Sequence, residues 1–278
     1  MLSYRHSFHA GNFADIIKHI VLVDILEHLT QKETPFDYID THAGAGIYDL
    51  KSAHAIKLQE HSGGIGKLAM EDFAELARYF EVIHSFNQPD TITIYPGSPS
   101  IANYFLRPQD RAWLYELHPQ DYQALSHQMK NRKNVRVFCQ DGLKTMLALL
   151  PPVSRRGLVL IDPSYEIKTE YDQVFDAVVK ACKKFSTGIF AIWYPVVNRH
   201  KIDRFEKKLM QSDIKNIQRF ELGVSADSKE RGMTASGLFV INPPWKLFDK
   251  MSRVLPHLAA KLGDANNQFF KCDIISSE

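Results

Sequence analysis

The sequence predicts an α/β protein built on a mostly parallel sheet, from three observations. Seven short runs of apolar, β-branched or aromatic residues are spaced along the chain, helical periodicity fills most of the intervals, and the first run ends in a glycine-rich turn. The first five runs are nearly uninterrupted apolar segments, the pattern of strands covered on both faces.

Taken in order, the first strand is expected at residues 36–40, after Pro35 and before Asp40-Thr-His-Ala-Gly44-Ala-Gly46. Strands at 112–116 and 135–139 are bounded by Pro119 and by Asp141-Gly142, and a fourth at 157–161 stops at Asp162-Pro163. A fifth at 188–194 meets Pro195, a sixth spans 219–224, and a seventh at 237–241 ends in Asn242-Pro-Pro. Residues 13–29 repeat apolar side chains at helical spacing behind Asn12, a suitable N-cap. Helices at 122–129, 143–150, 171–185 and 201–210 supply crossovers. The interval 46–112 is too long for a single crossover. It holds a helical stretch at 67–84, a turn at Tyr95-Pro96-Gly97 and a helix opening at Ser98-Pro99. Residues 48–95 are therefore expected to form an inserted helical subdomain, too small for a core of its own, within a catalytic domain made of 1–47 and 96–278. Residues 263–278 read as a terminal strand or a tail.

With 278 residues, 45% hydrophobic and 24% charged, the chain has the make-up of a soluble globular protein. No apolar stretch reaches the ~20 residues of a membrane span, and the first nine residues contain no apolar signal segment. Cys139, Cys182 and Cys272 are odd in number and form no C-x-x-C pair, which excludes a disulfide framework or zinc knuckle and fits a reducing cytoplasm. Lys+Arg 34 against Asp+Glu 32 leaves a net charge of +2, which permits a polyanionic partner without demanding one.

Three features follow strand ends, the edge at which open α/β sheets bind ligands. Gly44 and Gly46 allow a tight turn and close approach of backbone to a ligand. Glu116 ends the second strand, where a carboxylate can accept both hydroxyls of a ribose, and Asp141-Gly142 ends the third, where side chain and backbone can bracket an adenine. Each alone serves equally well as a turn or cap; in this order they favour an adenosine-containing cofactor.

A fourth feature separates methyl transfer from hydride transfer. Asp162-Pro163-Ser164-Tyr165 resembles the Asp/Asn-Pro-Pro-Tyr/Phe signature of amino-directed nucleic-acid methyltransferases. An exocyclic adenine amine is a poor nucleophile because its lone pair is delocalised into the ring. The Asp162 carboxylate and the Pro163 carbonyl can grip both amine hydrogens, and Tyr165 can stack on a base taken out of its helix. Asn242-Pro-Pro-Trp245 matches the same signature, but a seventh strand inserted antiparallel would point it at the opposite rim, so a structural turn is expected there. In the N-terminal segment, His6-x-x-His9 specifies no third ligand, so no metal is expected, whereas Lys18 and His19 on the first helix can meet a cofactor carboxylate or a substrate phosphate. The rest of that segment reads as an amphipathic helix with a polar leader.

The opening Met-Leu-Ser-Tyr4-Arg-His-Ser-Phe-His-Ala-Gly-Asn12, with Asp40-Thr-His-Ala-Gly-Ala-Gly46, Tyr95-Pro-Gly-Ser-Pro99, Glu116-Leu-His-Pro119, Pro151-Pro-Val-Ser-Arg-Arg-Gly-Leu158 and Arg231-Gly-Met-Thr-Ala-Ser-Gly237, resembles the RlmJ (YhiR) family over nearly the whole chain. The likeness is weakest in 48–90 and after 263. It implies a 23S ribosomal RNA adenine-N6 methyltransferase with a Rossmann-like class I fold, a seven-stranded mostly parallel sheet, an inserted helical subdomain, S-adenosylmethionine as methyl donor, and a monomer acting on naked or partly assembled RNA. By position it implies cofactor contacts from His19, His42, Ser98, Glu116, Asp141, Gly142 and Asp162, catalysis by Asp162, and substrate contact by Tyr4 with His6 and Lys18 nearby. Ser164 departs from the family's second proline, which leaves the loop looser. The same chemistry on DNA, or a non-catalytic nucleic-acid-binding protein for use of external DNA, are the alternatives.

Overall fold

The computed structural model describes residues 5–89, 91–167, 169–228 and 232–276. In chain order its elements are α1 (Phe13–Thr30), β1 (Asp37–Asp40), β2 (Ile47–Asp49), α2 (Ala53–Leu58), α3 (Glu60–Gly63), α4 (Ala77–His84), β3 (Ile94–Pro96), α5 (Ser98–Phe105), β4 (Arg111–Tyr115), α6 (Pro119–Met129), β5 (Val135–Phe138) and α7 (Gly142–Leu149). The second half adds β6 (Gly157–Ile161), α8 (Glu170–Lys184), β7 (Ile189–Val196), α9 (Arg199–Met210), β8 (Ile217–Gly223), β9 (Ala235–Ile241), α10 (Leu247–Leu262) and β10 (Phe269–Ser276).

The main sheet runs β10-β8-β9-β7-β6-β1-β4-β5. β1 lies parallel between β4 and β6, with Asp40 opposite Leu114 on one side and Leu160 on the other. β7 continues parallel beside β6, whereas β9 enters antiparallel between β7 and β8. Every residue of β6, β7 and β9 is buried, so helices cover both faces. α1 packs with α4, α5 and α10 in one layer, and α7, α8 and α9 pack in sequence in another.

Four expectations change. The sheet has eight strands instead of seven, because 269–276 pairs antiparallel with β8, where Arg219 bonds Asp273 across the pair. The stretch 67–84 is α-helical only from Ala77, the preceding residues forming short 3₁₀ turns that turn Phe73 and Leu76 into the core. Tyr95-Pro96 belongs to a strand: β3 pairs with β2 across the base of the insertion. α1 is not amphipathic. It is buried on all sides over most of its length, Asp15, Lys18 and His19 included, which makes those three the exceptional residues of the helix. Leu76, Tyr79, Phe80 and Ile83 of the insertion join the same core as Ile17 and Val21 of α1.

Candidate active site

The carboxyl ends of β1, β4, β5, β6 and β7 meet at one rim, around a cleft in two parts. A narrow slot of about 140 Å³ runs past Gly44, Glu116, Ser98 and Asp162. A wider cavity of about 650 Å³ lies between Asp162, the N-terminal segment, Glu60 of the insertion and Met233. Asp162 and Lys18 line both.

On the slot side, Gly44 and Gly46 hold left-handed φ angles of +63° and +83°. That turn aims the Gly44 N–H at Glu116 Oε2 (2.8 Å), while Glu116 Oε1 accepts from His118 N–H (2.6 Å). Burial pushes the Glu116 carboxyl up, against those two amides. Each carboxylate oxygen keeps a lone pair directed elsewhere, as ribose hydroxyls require. Ser98 Oγ–H and Tyr38 O–H both donate to Asp40 Oδ2 (2.7 Å each), so Ser98 presents only acceptor capacity to the slot. Burial lowers His42 to about 4 and His19 to about 3; both rings are neutral at physiological pH. His19 Nδ1 bonds Tyr95 Oη (3.0 Å), and its Nε2 is buried with no partner among the described residues. A buried imidazole nitrogen left open beside the slot fits a ligand carrying a charged amino-acid end, as S-adenosylmethionine does.

At the junction, Lys18 Nζ lies 2.6 Å from Asp162 Oδ2 and 2.9 Å from Asp15 Oδ1. Asp15 Oδ2 in turn contacts His6 Nε2 (2.9 Å) and accepts the Gly11 N–H (2.9 Å). Burial by itself would lower Lys18, but the carboxylates of Asp15 and Asp162 outweigh it and keep the ammonium charged. Burial would likewise raise Asp15, yet His6 and Lys18 hold it well below the usual carboxylate range. For Asp162 burial wins: its carboxyl is raised despite Lys18. The result is a carboxylate of increased basicity, oriented by a fixed cation and facing both cavities.

His19, His42, Gly44, Ser98, Glu116 and Asp162, all expected at the cofactor, line the slot together with Pro163, Lys18 and His6. Asp141 and Gly142 stand at the same rim without lining it. Asp141 caps α7 through Lys144 N–H (3.2 Å), and Gly142 is needed because a Cβ there would meet Thr41 O at 2.3 Å. Tyr4 falls outside the described residues. Tyr165 does not face the cleft: at φ +54° its ring stacks on Tyr171 (4.2 Å) and its hydroxyl donates to Trp193 O (2.8 Å), so the base-stacking role expected of it is not met by this geometry. Asn242 lies at the far rim, its amide donating to Ser186 O and Gly188 O (2.8 Å each) before β7 begins. Sequence reasoning missed Asp15, Trp193 and Glu60. Asp15 was the most accessible of them, since it stands three residues before Lys18 on the same helical face. Among the described residues no group of three His, Cys, Asp or Glu side chains is arranged to hold a metal.

The family model described as ribosomal RNA large subunit methyltransferase D, RlmJ, matches residues 33–272. Two curated proteins named ribosomal RNA large subunit methyltransferase J, from Escherichia coli K12 and Haemophilus influenzae, are each 51% identical to this chain across 94% of both sequences. A crystal structure of a Legionella pneumophila protein superposes with a TM-score of 0.87 at 40% identity, covering 96% of this chain and 98% of that one.

Proposed function

This chain belongs to the RlmJ family of ribosomal RNA large subunit methyltransferases, and from that premise we propose that it methylates the N6 amine of an adenine in 23S ribosomal RNA. The observation that carries the reading is the Lys18-bound carboxylate of Asp162, followed by Pro163, at the junction of a slot fitted to an adenosine cofactor and a cavity large enough for a nucleotide.

When bound, S-adenosylmethionine would supply an electrophilic methyl carbon. Glu116 would hold the ribose hydroxyls, with His42 and Gly44 on the nucleoside side of the slot, Asp141 and Gly142 at the rim beside it, and His19 and Ser98 toward the amino-acid end. The target base, flipped out of the RNA, enters the wider cavity. Asp162 Oδ and the Pro163 carbonyl accept the two amine hydrogens, which turns the nitrogen lone pair out of conjugation and toward the slot. As positive charge develops on that nitrogen, Asp162 takes the proton it sheds. Lys18 keeps the carboxylate ionised and fixed until then, so alignment and electrostatic placement do most of the work. His6, held by Asp15, sets the N-terminal segment on the substrate side, and Tyr4 is the further substrate contact that the family likeness implies. The family likeness adds a monomer acting on naked or partly assembled RNA, and the residues named above all come from one chain.

The test is methyl transfer from labelled donor to transcribed 23S RNA, with a DNA oligonucleotide of matching sequence as competitor. Asp162→Ala should lower turnover by roughly 10³-fold or more while cofactor affinity, read by calorimetry, stays within tenfold. Turnover within tenfold of the parent, or DNA preferred over RNA, would overturn the assignment.

A further inference from the structure

With Tyr165 turned under the cleft, the aromatic ring beside Asp162 that faces it belongs to Trp193. The parallel pairing of Ile161 with Ile192 sets Trp193 in line with Asp162 at the end of the neighbouring strand. Its ring lines both the slot and the wider cavity. It is fixed from two directions, by Tyr165 hydrogen-bonding its carbonyl and by the Lys18 ammonium 5.6 Å from the ring centroid. Trp193 is only 8% exposed, and its Nε1 is closed to solvent with no hydrogen-bond partner among the described residues. A phenylalanine would supply a ring at this place without burying a donor. An indole N–H cannot accept, so what satisfies it is an acceptor brought to it.

We propose that Trp193 is the residue that reads the target base, its ring walling the base pocket and its N–H donating to one of the two ring nitrogens, N1 or N7, that lie beside the amine of adenine. The inference rests on the adenine-N6 reading above. In adenine the amine stands between two acceptors in its plane, N1 bonded to the amine-bearing carbon and N7 one carbon further round the ring, and Asp162 and Pro163 hold the amine itself. Three in-plane bonds then define adenine. Guanine carries an oxygen in place of the amine and a hydrogen on N1, so it leaves Asp162 and the Pro163 carbonyl facing another acceptor.

The experiment compares the parent enzyme with Trp193→Phe in single-turnover methylation of one ribosomal RNA fragment, carrying adenosine, 1-deazaadenosine or 7-deazaadenosine at the modified position. Trp193→Phe should lose roughly 5- to 150-fold on adenosine. On one of the two deaza bases, parent and variant should differ by less than about twofold, and that base names the nitrogen contacted. An equal loss on all three bases, or no loss on adenosine, overturns the proposal; the former outcome with a lowered melting temperature assigns Trp193 a packing role. If the parent transfers nothing to adenosine in any RNA while still binding cofactor, the adenine reading itself fails, a result distinct from the others.

Discussion

A lysine sealed inside a protein survives as a cation only when its charge is matched nearby, since removing either partner leaves an uncompensated charge costing roughly 3–5 kcal/mol. Lys18 has two carboxylates for this purpose: Asp162 lines both parts of the cleft, whereas Asp15 lines only the wider cavity and is held there by His6 and the Gly11 N–H. Asp15 therefore acts as the permanent counter-ion that lets Asp162 give up its bond to Lys18 in part when substrate arrives. Asp40 shows the opposite balance. It is completely buried with no cation beside it, and burial pushes its carboxyl from the ordinary 3.8 up to about 6, against the lowering effect of Ser98 and Tyr38. A raised carboxyl favours the protonated fold, so the stability it contributes is complete below about pH 4 and is lost as pH rises through about 6. Asp40→Asn is neutral throughout and lacks that loss. Between pH 4 and 7 it should gain roughly 2–3 kcal/mol relative to the parent, read from urea midpoints at the two ends of the range. Parallel stability curves for the two proteins would show that Asp40 does not titrate there.

Among elements, the insertion gains a specific task from its contacts with the N-terminal segment. Glu60 at the start of α3 bonds His9 Nδ1 (3.0 Å) and accepts from Asn12 Nδ2 (2.9 Å), His54 of α2 stacks on Phe8 at 4.2 Å, and Ile65 N–H donates to Gly11 O (2.9 Å). Gly64 sits so close that a Cβ would meet Gly11 O at 2.1 Å. The insertion thus clamps the residues that place His6 on Asp15. Glu60→Ala should cost about 1–3 kcal/mol of stability for two partly buried bonds to a charged group. Turnover should fall further than cofactor affinity, and Glu60→Gln should restore much of it. Full turnover by Glu60→Ala would show that the clamp is dispensable. None of this was legible in the sequence, because Glu60 lies about fifty residues from His9 and Asn12 and meets them only through the shared core. The strands of the sheet and the cap of α1 were legible, because a buried parallel strand and an N-cap announce themselves locally; Asn12 Oδ1 does accept from Ala14 and Asp15 N–H (3.0 Å each). α10 escaped because Pro256 interrupts an otherwise regular apolar spacing, and β10 was left open between strand and tail because it alternates only weakly and carries charges.

At the scale of the whole molecule, topology decides between two tetrapeptides that composition ranks the wrong way round. Asn242-Pro-Pro-Trp245 keeps both prolines of the amino-methyltransferase signature, whereas Asp162-Pro-Ser-Tyr165 has lost one. A single reversed strand settles the matter: β9 runs against β7, so its carboxyl end emerges where β7 starts, a full strand length from Gly44, Glu116 and Asp162. There Asn242 adopts φ +52°, a conformation that asparagine tolerates better than most residues, and bonds two carbonyls of the loop leading into β7. Its work is to join two strands. Asn242→Ala removes both bonds and puts at positive φ a residue that tolerates it less well than asparagine does, so it should destabilise the fold by roughly 1–3 kcal/mol. Methyl transfer per folded molecule should stay within about twofold of the parent, measured below the variant's melting temperature after active-site titration with cofactor. The same pair of measurements on Asp162→Ala should give the reverse, a modest change in stability, because Asp15 still pairs with Lys18, and a large loss of turnover. If Asn242→Ala instead loses turnover while remaining fully folded, the substrate reaches the far rim, and the assignment of catalysis to the end of β6 would have to be abandoned.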